Sequence, residues 1–198
     1  MGDPKKPKKN YSTPTHPWQK ERIDEEKILT REFGLANKKE VWRVTSLVRK
    51  FAGQAKKLSA GKSAQSEKEK VDFMKSLQNL GLIAPGAPMD SVLSLSANDI
   101  MERRLQTVVF KKGLARSVKQ ARQFIVHGHI LVAGKKITVP SYLVSVGEEG
   151  MINFSVKSSL VDVEHPERVA LIKKEKKKAK FDPRGRGRGS RRGPPMRK

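Results

Sequence analysis

Apolar residues step along the first half of this chain at helical intervals and alternate with polar ones further on. Over residues 38–60, Val41, Val44, Val48, Phe51, Ala55 and Leu58 recur every three or four positions. That interval gathers them on one face of a helix, and this is the strongest helix the chain predicts. Lys39, Arg43, Arg49, Lys50, Lys56 and Lys57 fill much of the remaining surface, and Gly61 ends the run. Gly53, inside the helix, costs about 1 kcal/mol against alanine, so it marks close packing or close approach of a backbone. A shorter helix is predicted over 23–33, with Asp24, Glu25 and Glu26 in its first turn, where they complement the dipole. A third is predicted over 66–80, capped by Ser66 with Glu69 three residues on. Its stripe is Val71, Met74, Leu77 and Leu80.

Gly81 and the Pro85-Gly-Ala-Pro88 run interrupt the pattern. They read as a hinge between a helical domain (23–95) and a second unit (96–157). The second unit opens with a helix over 99–110, capped by Ser96 and Asp99, whose stripe is Met101, Leu105, Val108 and Val109. Arg103, Gln106 and Thr107 fall off that stripe, and Arg104 flanks it. A basic loop follows. Ser117 with Gln120 then has the spacing of a capping box. The helix it opens turns Val118, Ala121 and Ile125, with Phe124, to a core, and Lys119, Arg122 and Gln123 to another face. Gly128 ends it. Alternation takes over at Ile130 and Val132. A turn over 133–136 precedes Ile137 and Val139, and Tyr142, Val144 and Val146 continue with period two. Glu148-Glu149-Gly150 reads as a turn and residues 151–156 as a last strand. The fold class is α+β: a helical domain plus two short helices on a small antiparallel sheet.

Charge changes the picture. The 198 residues carry 43 Lys and Arg against 20 Asp and Glu, a formal +23. A chain this cationic self-repels unless it meets a polyanion. The ends are extreme. Residues 1–22 form a Lys/Pro-rich extension that cannot be helical throughout. Residues 158–172 predict a helix with Pro166 near its start, packing back on the helical domain through Val169, Ala170 and Ile172. Residues 173–198 hold thirteen basic and two acidic residues and end in Arg/Gly repeats. Tails of this kind stay disordered until bound. Arg103, Arg104, Arg116, Lys119, Arg122, Lys135 and Lys136 could converge on one basic side of the second unit. Such a surface suits a phosphate backbone, because each neutralised phosphate releases counterions.

Catalytic chemistry finds no support. The four histidines are His16, His127, His129 and His165, and no cysteine is present. His127 and His129 flank Gly128 but lack a neighbouring carboxylate to complete a metal site. No phosphate-binding Gly-x-x-x-x-Gly-Lys-Ser loop occurs. No cofactor is expected. No apolar run is long enough to cross a membrane, and the first residues lack the apolar core of a signal peptide. Trp18, Trp42, Tyr11 and Tyr142 could stack on bases; Trp42, beside a core valine, reads as packed. Charge spread over helices, loops and both tails favours a folded RNA over DNA. A helix-turn-helix DNA reader would need a dimerisation element, and none is evident.

The run from Met101 through Ile130, with Val-Ala-Gly-Lys-Lys-Ile and Pro-Ser-Tyr-Leu-Val after it, resembles the RNA-binding module of the ribosomal small-subunit protein four family. The upstream run Pro17-Trp-Gln-Lys-Glu-Arg-Ile-Asp-Glu-Glu-Lys-Ile-Leu-Thr-Arg-Glu-Phe-Gly-Leu35 resembles the archaeal and eukaryotic branch of that family. The resemblance implies a structural, non-enzymatic constituent of the small subunit. It implies primary binding to 16S ribosomal RNA, a part in nucleating assembly of the subunit body, contact with small-subunit protein five, and a role in decoding accuracy. It also implies a cytoplasmic protein that is not a homo-oligomer. The RNA-facing positions it carries over are Arg103, Arg104, Arg116, Lys119, Arg122, Gln123, His127 and His129, with Lys111 and Lys112 in the loop. Lys135 and Lys136 match less specifically. Some bacterial members carry a cysteine zinc cluster, which this chain cannot form. The alternatives are a free RNA-binding regulator and an RNA-modifying enzyme bearing the same module. The second would need a catalytic domain larger than the roughly 95 residues upstream of the module.

Overall fold

In the computed structural model, residues 9–61, 63–162 and 165–167 are described. The elements run α1 (Lys20–Glu32), α2 (Lys38–Ala60), α3 (Ala64–Asn79), a 3-10 turn at Met89–Val92, α4 (Ala97–Glu102), α5 (Leu105–Lys111), α6 (Val118–Val126), β1 (Ile130–Val132), β2 (Lys135–Lys136), α7 (Val146–Glu149), β3 (Ile152–Phe154) and a 3-10 turn at Ser159–Val161. The sheet is antiparallel in the order β2-β1-β3. The class is α+β, as the patterning predicts.

α2 is the wall that the rest is built on. Its predicted stripe divides between two cores. Val41 and Val44 pack with Leu35, Ile100 and Met101, and Val48 joins them from the side. Ala55 and Leu58 pack with Phe73, Leu77, Ile83 and Val92. Phe51 touches both cores, and its ring meets that of Phe73 at 6.3 Å. A third core belongs to the sheet and its helices. Leu105, Val108, Val109, Ala121, Phe124, Ile125, Ile130, Val132, Val144 and Ile152 fill it, with Leu160 from the last 3-10 turn.

Several local expectations are corrected. α3 starts at Ala64 and is capped by Ser63, whose hydroxyl accepts from the Ser66 backbone N–H. Ser66 instead donates to the Leu58 carbonyl, tying α3 to the end of α2. The buried face of α3 is Phe73 and Leu77, while Val71 is exposed; the position of α2, which α3's own sequence does not encode, selects that face. Gly53 has open space where a side chain would stand, so no close approach explains it.

The largest departure lies at residues 103–104. The single helix expected over 99–110 is two helices, with Arg104 extended between them (φ −69°, ψ 142°). The interruption lets the chain pair with residues 140–144. Leu105 N–H donates to the Tyr142 carbonyl at 2.7 Å, Val144 N–H to that of Arg103 at 3.0 Å, and Arg104 bridges Leu143. These bonds replace helical ones, so few backbone groups are orphaned. Gln106 and Thr107, expected off the apolar stripe, are consequently buried. Further on, Ala133 and Gly134 alone form the turn, both at positive φ, and Lys135 and Lys136 are the return strand. The period-two run at Tyr142–Val146 forms no strand. Ser145 and Glu148 make a reciprocal capping box, so Val146–Glu149 is a helical turn. Gly150 follows as its C-cap.

Of residues 158–172, only 158–162 and 165–167 are described. Leu160 enters the sheet core, and Glu167 meets Arg116 and Gln120. Val169, Ala170 and Ile172 lie outside the described residues, as do residues 1–8 and 173–198.

Candidate nucleic-acid interface

α6 supplies the most regular polar surface. Ser117 caps it by accepting from the Gln120 N–H, although Gln120 accepts from Arg116 N–H at 2.8 Å instead of closing the box. Ala121, Phe124 and Ile125 are buried, which turns Lys119, Gln123 and His127, spaced by four, to solvent. The helix ends with His129 N–H donating to the Phe124 carbonyl and Gly128 N–H to that of Ile125. Such a close needs Gly128 at φ +73°. A side chain there would also collide with Lys136, which lies against the end of α6. Lys119, Gln123, His127 and Lys136 therefore form one exposed row from the start of α6 to the hairpin. Lys119 and Lys136 make no ion pair among the described residues. Lys135 is also exposed; the Glu148 pKa is held below its usual value chiefly by the hydrogen bonds from the Ser145 backbone and the Tyr142 hydroxyl, with the Lys135 charge adding least.

The other predicted cations are largely engaged within the protein. Arg104 is the clearest correction: its side chain is 2% exposed and donates to Glu40 Oε2 at 2.6 Å. The break before α5 turns it inward, so it is not a surface group. Arg122 makes two bonds to the same carboxylate, at 2.8 Å to Oε1 and 3.2 Å to Oε2. Arg103 pairs with Glu149 at 2.9 Å and donates to the Val144 carbonyl. Arg116 donates to the carbonyls of Pro166 and Glu167 and to the Glu167 carboxylate. Lys111 pairs with exposed Glu102 at 2.8 Å, an arrangement worth at most about 1 kcal/mol. Lys112 donates to the Glu149 carbonyl. His129 is half-buried, with Nδ1 2.8 Å from Ser158 Oγ and its ring edge-on to Phe124. His127 lies beside it with ring centroids 6.4 Å apart and remains exposed.

Burial alone raises the pKa of Glu40. The hydrogen bonds and charges of Arg122 and Arg104 outweigh that effect and hold it below the usual carboxylate value. Glu40 is thus an ionised clasp between α2 and the second unit. Beside it on α2, Lys39 and Arg43 are exposed and face Arg122 across a cleft. Their positions on the polar face of a helix are readable in sequence. Their apposition to α6 is not, because it depends on how α2 and the second unit pack.

The four aromatics differ. Trp42 is packed, its Nε1 donating to Glu26 at 2.9 Å and its ring 6.2 Å from Tyr11. Tyr142 donates to Glu148, whose hydrogen bond and burial raise the phenol pKa. Trp18 is 90% exposed. Its neighbours are held in place, since Arg22 donates to the carbonyls of His16 and Pro17 while bonding Glu26.

The helix pair, the three-stranded sheet and the exposed row define an S4 domain protein: the S4 domain matches residues 103–149. The similarity to whole proteins reaches much further. The chain is 51% identical over 174 residues to small ribosomal subunit protein uS4 of Methanococcus aeolicus, covering 87% of this chain and 98% of that one. It is 47% identical over 176 residues to uS4 of Methanococcus maripaludis strain C5, covering 88% and 99%. The chain belongs to the uS4 family of small ribosomal subunit proteins.

Proposed function

We propose that this protein is a structural constituent of the small ribosomal subunit that binds 16S ribosomal RNA through shape and phosphate contacts. One observation carries the reading: the similarity to uS4 spans the helical region, the S4 domain and nearly all of each relative's length. A protein that merely borrowed the domain would match over that domain alone. The charge agrees, since +23 on 198 residues needs a polyanion. The RNA contacts start from Lys119, Gln123, His127, Lys135 and Lys136, whose side chains are exposed and make no ion pair among the described residues. Arg103, Arg116, Arg122, Lys111 and Lys112 add to this surface where RNA phosphates displace or share their present partners. Arg104 and His129 act beneath it as positioning residues.

The role is non-enzymatic. Other ribosomal proteins are its neighbours, small-subunit protein five among them, and it joins the subunit as a single copy. Binding RNA early, it helps nucleate assembly of the subunit body, and it contributes to decoding accuracy. The test is sedimentation of the native protein from its own cells at moderate salt. Co-sedimentation with small subunits, released only by high salt, is the expected result. A protein that ran free of ribosomes, carrying transfer RNA or message, would overturn the assignment.

A further inference from the structure

Between the first half of α2 and residues 140–143 lies a cleft of about 360 Å³, within the size range of small-ligand sites. Val44, Leu47, Ile100 and Leu143 give it apolar walls. Lys39, Arg43 and Arg122 give it cationic ones, and Glu40 and Arg104 also line it. Glu40 is already shared by two arginines, so the cleft keeps an excess of positive charge. Lys39 and Arg43 have no ion pair among the described residues. Arg104 adds an independent observation. Its Nε is buried without a hydrogen-bond partner, on a side chain only 2% exposed. A buried unpaired donor is uncommon and calls for a bound water or ligand.

An inorganic anion would use the cations and leave the apolar wall idle. A purely apolar ligand would leave Lys39 and Arg43 unanswered. A flat body carrying one phosphate uses both. We propose that the cleft takes one unstacked nucleotide of the bound RNA, with its phosphate among Lys39, Arg43 and Arg122 and its base against Val44, Leu47 and Leu143. This rests on the RNA-binding reading and adds to it. The row on α6 meets backbone phosphates that any sequence offers. The cleft accepts only a nucleotide that has left its helix, and so reads RNA shape.

The test uses the full chain with labelled Val and Leu methyl groups, and adenosine and uridine 5′-monophosphate as probes beside inorganic phosphate. Saturable shifts of the Val44, Leu47 and Leu143 methyls with the monophosphates, and none with phosphate at equal ionic strength, are expected. Leu47→Trp, which fills the cleft, and Arg43→Ala, which removes an exposed cation, should each weaken monophosphate binding about tenfold. Circular dichroism checks that both fold, and Arg43→Ala keeps the test valid if Leu47→Trp does not. The absence of saturable shifts would overturn the proposal, as would equal shifts with phosphate alone. Filter binding to 16S ribosomal RNA separates the sources. A parallel loss of RNA affinity in the folded variants supports an RNA nucleotide. Lost monophosphate binding with RNA affinity unchanged overturns that occupant in favour of a free nucleotide. If the unaltered protein fails to bind 16S ribosomal RNA, the ribosomal reading fails, and the methyl shifts still decide whether the cleft holds a nucleotide.

Discussion

Arg104 donates to Glu40 across 2.6 Å, joining the long helix α2 to the start of the S4 domain. Arg104 is nearly buried and Arg122 partly so, and both depend on this one carboxylate. Removing one member of a buried ion pair costs more than the pair itself contributes, because the partner's charge is left without compensation. Glu40→Ala should therefore destabilise the protein by about 3 kcal/mol. Urea unfolding would show this as a lowered midpoint with little change in slope. A midpoint equal to that of the unaltered protein would remove the clasp from the account of stability.

The same pair has a pH signature. Glu40 has a folded pKa below its unfolded value. Its contribution is then fully present above the unfolded pKa, near 4.5, and is lost as pH falls through the lower folded value. Glu40→Gln should flatten that part of the stability profile. The comparison is of urea midpoints for both proteins at pH values from neutrality down to the acid limb.

Gln106 makes the second joint. Its Nε2 lies 3.2 Å from the carbonyls of Phe33 and Gly34 and 3.0 Å from that of Val118. It thus links the end of α1 to the first turn of α6. Gly34 sits at φ +55°, and a side chain there would press on Gln106 and Lys119 at 3.3 Å. Gln106→Leu keeps the volume and leaves those carbonyls unanswered, so a loss of about 1–3 kcal/mol is expected. Hydrogen exchange should locate the loosening in α1 and the first turn of α6.

How much of this the sequence reveals depends on where the determining forces lie. α2 is legible to its ends because six apolar residues repeat over its whole length and one face decides its packing. The caps at Ser96 and Ser117 are legible because they are local. The break at Arg103–Arg104 carries no Gly or Pro signal. It is stabilised by residues 140–144 and by Glu40, which no local window contains. The consequence for the site is direct. Two adjacent arginines are both RNA-facing by resemblance, yet the break buries Arg104 against Glu40 and leaves Arg103 half-buried between Glu149 and the Val144 carbonyl. Exposure of Lys119, Gln123 and His127 follows from helical spacing alone, whereas the apposition of Arg43 and Arg122 is tertiary.

Gly53 offers a test of a residue with no packing reason to be glycine. A Cβ there meets nothing within 4 Å, and the position is interior to α2. Gly53→Ala should stabilise the protein by about 0.5–1 kcal/mol through helix propensity and reduced freedom of the unfolded chain. A thermal midpoint raised by a few degrees is the expected reading. A lower midpoint would point to a clash that the open space does not contain.

The RNA surface separates from the scaffold by salt dependence. Lys119 and Lys136 are exposed and carry no ion pair among the described residues, so replacing both with alanine should leave stability within about 0.5 kcal/mol. Each phosphate that is no longer neutralised should make the slope of log affinity against log salt shallower by about 1. The double variant should therefore bind 16S ribosomal RNA with a slope shallower by about 2. Arg104→Ala should behave in the opposite way. It removes a group that the structure buries, so it should lower the unfolding midpoint while the folded fraction keeps its salt slope. A double variant with an unchanged slope would move the interface away from α6 and the hairpin. A changed slope in Arg104→Ala would mean that the buried arginine itself neutralises a phosphate.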